Sequence, residues 1–165
     1  SYIERKKDTY RLFNDIRISI DAERFAHAAN KALKADVDTA EQHDLLLAAI
    51  SDYSGPFLEE DRYEEFCVEK RQFLSTLFGQ LLKAVAERFE KTNDLENAIS
   101  YTWKGLNLDP CDESAFRRLM SLYSRSGDVL KVTRTYQEYQ KAVEQLDLPV
   151  NPEMTELYQN LIQTR

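Results

Sequence analysis

The fold is decided by residues 79–112, GQLLKAVAERFEKTNDLENAISYTWKGLNLDPCD, and residues 113–146, ESAFRRLMSLYSRSGDVLKVTRTYQEYQKAVEQL, two consecutive stretches of 34 residues. In the first, Leu82, Val85, Ala86 and Phe89 fall on one helix and Ala98 and Gly105 on a second. In the second, Phe116, Leu119, Met120 and Tyr123 repeat the register, followed by Val132, Tyr136 and Tyr139. Antiparallel helices approach closely only where side chains are small, as predicted for Ala86 against Ala98, while larger residues fill the space to the next hairpin. Asn93-Asp94 and Gly127-Asp128 supply the turn and a helix-starting cap in each unit. The sequence therefore reads as one helical hairpin written twice.

Composition agrees. At 165 residues the chain is one domain, or one domain with a remnant of another. A hydrophobic content of 42% with only 4 Gly and 4 Pro suits a helical globule and argues against disorder. The 9 Tyr and 8 Phe suit a hairpin stack packed by aromatic side chains. No apolar run approaches the length of a membrane span, and the opening Ser1-Tyr2-Ile3-Glu4-Arg5-Lys6-Lys7 is polar, unlike a signal peptide. Cys67 and Cys111 match no metal or redox spacing, so cytoplasm is the expected compartment. A net charge of −7, with acids densest from Glu59 to Glu65, repels phosphates on average and argues against direct DNA binding.

Outward from the repeats, the first twenty residues differ. Tyr10, Leu12, Ile16, Ile18 and Ile20 alternate with polar neighbours, the mark of strands, with Asn14-Asp15 as a turn. Everything after them reads as helix. Asp21 caps a helix to about Lys34 that buries Phe25, Ala26, Ala29 and Leu33. Thr39 and Gln42 form a capping box for a second helix to about Asp52, carrying Leu45, Leu46, Ala49 and Ile50. Gly55-Pro56 breaks the pattern, and a long helix follows from about Asp61 to Lys91. Along it Phe73, Leu77, Leu81, Val85 and Phe89 step at i+4 beside Leu74, Phe78 and Leu82, a stripe wide enough to be buried on two sides. Gly79 inside this helix predicts a kink or a point of close contact. Asn151 and Pro152 open a last helix through Leu157 and Leu161, expected to cover the open face of the stack.

Catalytic chemistry is not apparent. His27 on its helix is expected to be a structural or surface histidine rather than a phosphotransfer site, and His43, just after a cap, a solvated one. Neither has partners at a ligand spacing that closes a metal site. The few, scattered glycines make no phosphate-cradling loop, and the carboxylates mark helix faces and caps. The expectation is a protein without enzymatic activity, cofactor or metal.

Several landmarks in order resemble a known family: Asp21 with Phe25; Tyr53, Gly55, Phe57 and Leu58; Leu108-Asp109-Pro110 and Glu113; Arg118-Leu119-Met120; Gly127; Tyr136; and Thr155 with Leu157-Tyr158. From about Ile20 to Tyr158 the chain looks like the bacterial transcriptional activator domain of antibiotic-regulatory-type activators and some response regulators. The sequence departs from that pattern at Phe66, commonly Trp; at Val132, favouring Ala; and at Asp147, often Gly. The resemblance implies an all-α, tetratricopeptide-like hairpin stack over residues 21–165, preceded at residues 1–20 by a β segment. In such regulators a winged-helix DNA-binding domain comes first. Tyr2-Ile3 and Thr9-Tyr10-Arg11-Leu12 look like the arms of its wing, with Lys6 and Lys7 at the tip as candidate phosphate contacts, and the chain would be part of a longer protein.

Recognition is then the expected chemistry. By repeat register Gln80, Lys83 and Glu87 face a concave groove from one unit, and Ser114, Arg117 and Ser121 from the next. Lys83 and Arg117 occupy matching positions and could hold a carboxylate-bearing peptide between them; the alternative leaves both as ordinary solvated residues. The co-chaperone type of carboxylate clamp needs an Asn one turn after the Lys, where Glu87 and Ser121 stand instead. The implied function is a regulatory, protein-interaction module of a transcription regulator. Its expected partner is its own DNA-binding domain, a second subunit or RNA polymerase, with DNA reached only through an upstream domain. The alternative is a free-standing tetratricopeptide-type adaptor that binds a peptide segment.

Overall fold

The turns explain the architecture. At the end of the first repeat's leading helix Asn93 adopts φ 59°. There the Asp94 N–H donates to the Phe89 carbonyl at 2.9 Å and the Asn93 N–H to Glu90 at 3.1 Å. One repeat later Gly127 adopts φ 78°, with Asp128 donating to Tyr123 at 2.9 Å and Gly127 to Ser124 at 3.0 Å. This is the same left-handed helix stop, satisfying the same two carbonyls, at equivalent positions. It recurs where Asp147 adopts φ 54° and Leu148 donates to Val143 at 3.0 Å. The departure at Asp147 thus falls on a left-handed position, which is why glycine suits it better. After the first two stops Asp94 and Asp128 cap the following helices, accepting from the N–H of Asn97 at 3.2 Å and Lys131 at 3.0 Å. Those bonds hold both carboxyls below their ordinary range, led by the side-chain contacts from Asn97 and Lys131.

The computed structural model describes residues 3–6, 9–12, 21–36, 39–55 and 65–163. Strands β1 (Ile3–Lys6) and β2 (Thr9–Leu12) precede α1 (Asp21–Lys34), α2 (Ala40–Ser51), α3 (Glu65–Lys91), α4 (Leu95–Leu108), α5 (Glu113–Arg125), α6 (Val129–Glu144) and α7 (Pro152–Gln163). Helices α1 and α2, α3 and α4, and α5 and α6 pack as successive hairpins; α1 and α2 both lie on α3, α4 on α5, and α7 on α5 and α6. β1 and β2 pair antiparallel, with Ile3 opposite Leu12 and Lys6 opposite Thr9. The strand continuation at Ile16, Ile18 and Ile20, its turn at Asn14-Asp15, the start of the long helix at Asp61, and Lys7 lie outside the described residues.

Two cores result. One gathers Ala22, Phe25, Ala29 and Ala32 of α1, Leu46 and Ala49 of α2, and Leu74, Leu77, Leu81 and Val85 of α3. Four of these are alanines, which lets α1 and α2 approach α3 closely. The other gathers Leu119, Met120 and Tyr123 of α5 with Val132, Tyr136 and Tyr139 of α6 and Met154 of α7. Helix α4 stands between them: Tyr101 packs on the first core, and Ile99 and Trp103 on the second. Ala86 and Ala98 are both fully buried, as close α3–α4 packing requires. Trp103 also donates its Nε1–H to the Tyr123 hydroxyl at 2.9 Å, tying α4 to α5.

Helix α7 closes the stack as expected. Asn151 caps it, accepting from the Glu153 N–H at 2.9 Å, and its side chain donates to Glu113 at 2.7 Å. The Tyr139 hydroxyl accepts from the Asn151 N–H at 3.0 Å and faces Glu113 at 3.4 Å. Burial, foremost, pushes that hydroxyl above its ordinary pKa and keeps it a donor.

Three expectations are corrected. Phe73 is 49% exposed. A strict i+4 series rotates about 40° per step, so four steps from Phe89 carry Phe73 far round the helix, whereas Leu74, Leu77, Leu81 and Val85 mix three- and four-residue steps and stay buried. His43 is half-buried rather than solvated; its ring stands edge-on to Phe89 at 5.1 Å, and its Nδ1 is buried without a hydrogen-bond partner. Gly79 marks no close contact, since α3 runs through it unbroken and a Cβ there would meet nothing within 4 Å.

Candidate functional site: a groove between α3, α4 and α5

Between α3, α4, the α4–α5 turn and α5 the stack leaves a groove of about 560 Å³, within the range of ligand-sized clefts. Helix α3 presents Gln72, Thr76, Gly79, Gln80 and Lys83 to it. Tyr101, Gly105 and Leu108 face it from α4, and Asp109, Asp112, Ser114 and Arg118 from the turn and α5. Gly79 and Gly105 are its most informative residues. A Cβ added at either would meet nothing within 4 Å, and both sit in ordinary helical backbone. A glycine inside a helix costs about 1 kcal/mol relative to alanine, and no packing in the stack requires it at these two positions. What the glycines provide is width.

The register-based candidates separate. Gln80, Lys83 and Ser114 line the groove. Arg117 turns away towards α7, reaching Glu113 at 3.5 Å and Glu153 at 3.3 Å. Glu87 is taken by Arg118 at 2.7 Å, and the Ser121 hydroxyl donates back to the Arg117 carbonyl at 3.0 Å. A Lys83–Arg117 carboxylate clamp is therefore not assembled. The side chain that does reach the groove, Arg118, is only 19% exposed. It lies against the Lys83 carbonyl at 3.3 Å, Glu87, and Glu90 at 3.6 Å. Arg125 bonds Glu90 at 3.0 Å and Asn93 at 3.0 Å. These two arginines stitch α5 to α3. Their spacing of seven, opposite two acids spaced by three on α3, was the signal in the sequence that separated Arg118 from its neighbour.

The electrostatic consequence reverses the expected preference. Lys83 is exposed and makes no ion pair among the described residues. At the opposite corner Asp109 accepts the Cys111 N–H at 3.2 Å. Beside it Asp112 caps α5 by accepting from Ser114 at 2.8 Å and Ala115 at 3.2 Å. With Arg118 neutralised by two glutamates, one cation faces two carboxylates. Elsewhere, His27 is exposed on α1, and Cys67 and Cys111 are free thiols, the first buried. Among the described residues no cluster of three His, Cys, Asp or Glu could hold a metal, and no helix is long and apolar enough to cross a membrane.

The family description of the bacterial transcriptional activator domain matches residues 20–162. The chain belongs to that family. In this bacterial transcriptional activator domain three of the landmarks meet in space: the Tyr136 ring stacks on Tyr158 at 4.3 Å and its hydroxyl bonds Thr155 at 2.7 Å. Arg118 is the α3–α5 clasp and Gly127 the left-handed helix stop. Among solved structures, the chain is similar to the C-terminal TPR-containing domain of a Plasmodium falciparum protein described as FK506-binding. That match has 16% identity, a TM-score of 0.52 and 87% coverage of each chain. The likeness shows a tetratricopeptide-like fold. Among curated proteins none matches the sequence.

Proposed function

We propose that this domain is a non-catalytic regulatory module of a bacterial transcription regulator that engages a protein surface through the α3–α4–α5 groove. The observation that carries the reading is the groove itself, held wide by two helix-interior glycines in a family of transcriptional activators. A stack of hairpins gives a rigid wall on which a few exposed side chains choose the partner. Its partner is the regulator's own DNA-binding domain, a second subunit or RNA polymerase, and contact with it sets spacing on repeated sites and helps recruit polymerase. In this reading residues 1–20 belong to the preceding domain. β1 and β2 are the arms of its wing, with Lys6 and Lys7 towards phosphate; the support is the antiparallel pairing and a family match that starts at residue 20.

The test compares the full-length regulator with a version lacking residues 21–165 on repeated operator sites. Cooperativity of binding and transcription activation should fall while single-site affinity is retained. Unchanged cooperativity and activation would exclude the proposal.

A further inference from the structure

Resting on the groove as the partner site, we propose that it takes a basic peptide segment anchored by one apolar side chain set between Gly79 and Gly105. The anchor position follows from shape. The two glycines leave open space on facing helices. The apolar surface beside Gly105 comes from Tyr101 and Leu108, one turn before and after it on α4, and Leu108 is 38% exposed at the lip although it is a large apolar residue. An aromatic or long aliphatic side chain entering there would bury its own surface together with that of Leu108.

The sign of the flanking charge follows from the ion pairs. Arg117 is bound to Glu113 and Glu153, and Arg118 to Glu87 and Glu90. Asp109 uses one carboxylate oxygen on the Cys111 N–H of the α4–α5 turn, and Asp112 one on the N–H groups of Ser114 and Ala115 at the start of α5. Their second oxygens make no hydrogen bond among the described residues. The net charge of −7 adds a field that draws cationic segments and repels anionic ones. A guanidinium or ammonium next to the anchor residue meets the Asp109–Asp112 corner.

The probes are short fluorescein-labelled Ser/Gly peptides with a central phenylalanine flanked by arginines, a matched set flanked by glutamates, and one with alanine at the centre. Fluorescence anisotropy should show binding of the arginine–phenylalanine peptide and much weaker binding of the other two. The pair Asp109→Asn and Asp112→Asn keeps the backbone hydrogen bonds and removes the charge. It should weaken the arginine peptide by about fivefold to tenfold, the size of two solvent-facing ion pairs. Gly79→Leu fills the gap from a helix position that accepts it, and should weaken binding by roughly tenfold or more, with the helical circular dichroism unchanged. Tighter binding of the glutamate peptide, still lost in Gly79→Leu, would overturn the basic chemistry and leave the groove standing. Binding that ignores Gly79→Leu, or no binding of any probe, would overturn the inference. Binding that ignores Gly79→Leu would count against the groove reading as well. Sedimentation of the domain alone covers the remaining occupant: a dimer dissolved by Gly79→Leu would replace the peptide with a second copy.

Discussion

At the scale of single residues, the glycines divide by what surrounds them. Gly127 sits at φ 78° and has a conformational reason to be glycine. Gly79 and Gly105 have ordinary helical backbone and empty space where a Cβ would be. Gly79→Ala and Gly105→Ala should therefore each raise stability by about 1 kcal/mol. The melting midpoint would rise by roughly 2–4 °C per substitution for a domain of this size. Thermal melts followed by circular dichroism check this, and a loss of stability at either position would show that the glycine answers a packing need. Both substitutions narrow the groove, so the gain in stability should accompany a loss in peptide binding. Sequence could not distinguish the two kinds of wall. A small residue on a helix face looks the same whether the next helix touches it, as at Ala98, or stands off, as at Gly105. Only the distance between helices decides, and large residues elsewhere on the interface set that distance.

At the scale of elements, the ends of helices were more legible than their faces. Asn93, Asp94, Gly127, Asp128 and Asn151 are turn and cap residues by local backbone chemistry, and each does that work in the structure. Faces depend on what lies across from them. The i+4 series ending at Phe73 drifted off the core, and Arg117, in register with Lys83, turned to α7 because Glu113 and Glu153 flank it. The caps also make stability depend on pH. Asp94 and Asp128 have folded pKa values below the ordinary 3.8. Their contribution is therefore present above that value and is lost as pH falls through the lowered one. Melting temperature should drop on acidification below about pH 4. The double variant Asp94→Asn, Asp128→Asn, whose caps still accept but do not titrate, should show a shallower drop. Equal acid slopes in the two proteins would mean that other carboxylates govern the transition.

At the scale of the whole molecule, the domain behaves as a short one-dimensional stack in which each hairpin depends on its neighbours. The number of hairpins and the closing helix could be read from spacing, since a 34-residue register is long enough to repeat visibly. The groove could not, because it is the space left where three helices fail to meet. The two cores touch opposite sides of α4, and α7 covers only the second, with Met154 fully buried and Leu157, Tyr158, Leu161 and Ile162 packed around it. Ending the chain before α7 should remove on the order of 3 kcal/mol of burial from the second core alone. Native-state hydrogen exchange resolves where that loss appears. Amides of α5 and α6 should exchange about a hundredfold faster in the truncated domain, because 1.4 kcal/mol corresponds to roughly a factor of ten. Those of α1 and of the Leu74–Leu81 segment of α3 should change far less, since their core lies on the other side of α4. A uniform acceleration through all helices would instead mean that the stack unfolds as one unit. In that case α4, with its Trp103–Tyr123 bond and the α3–α5 arginine clasps, couples the two cores more strongly than either is held by its own contacts.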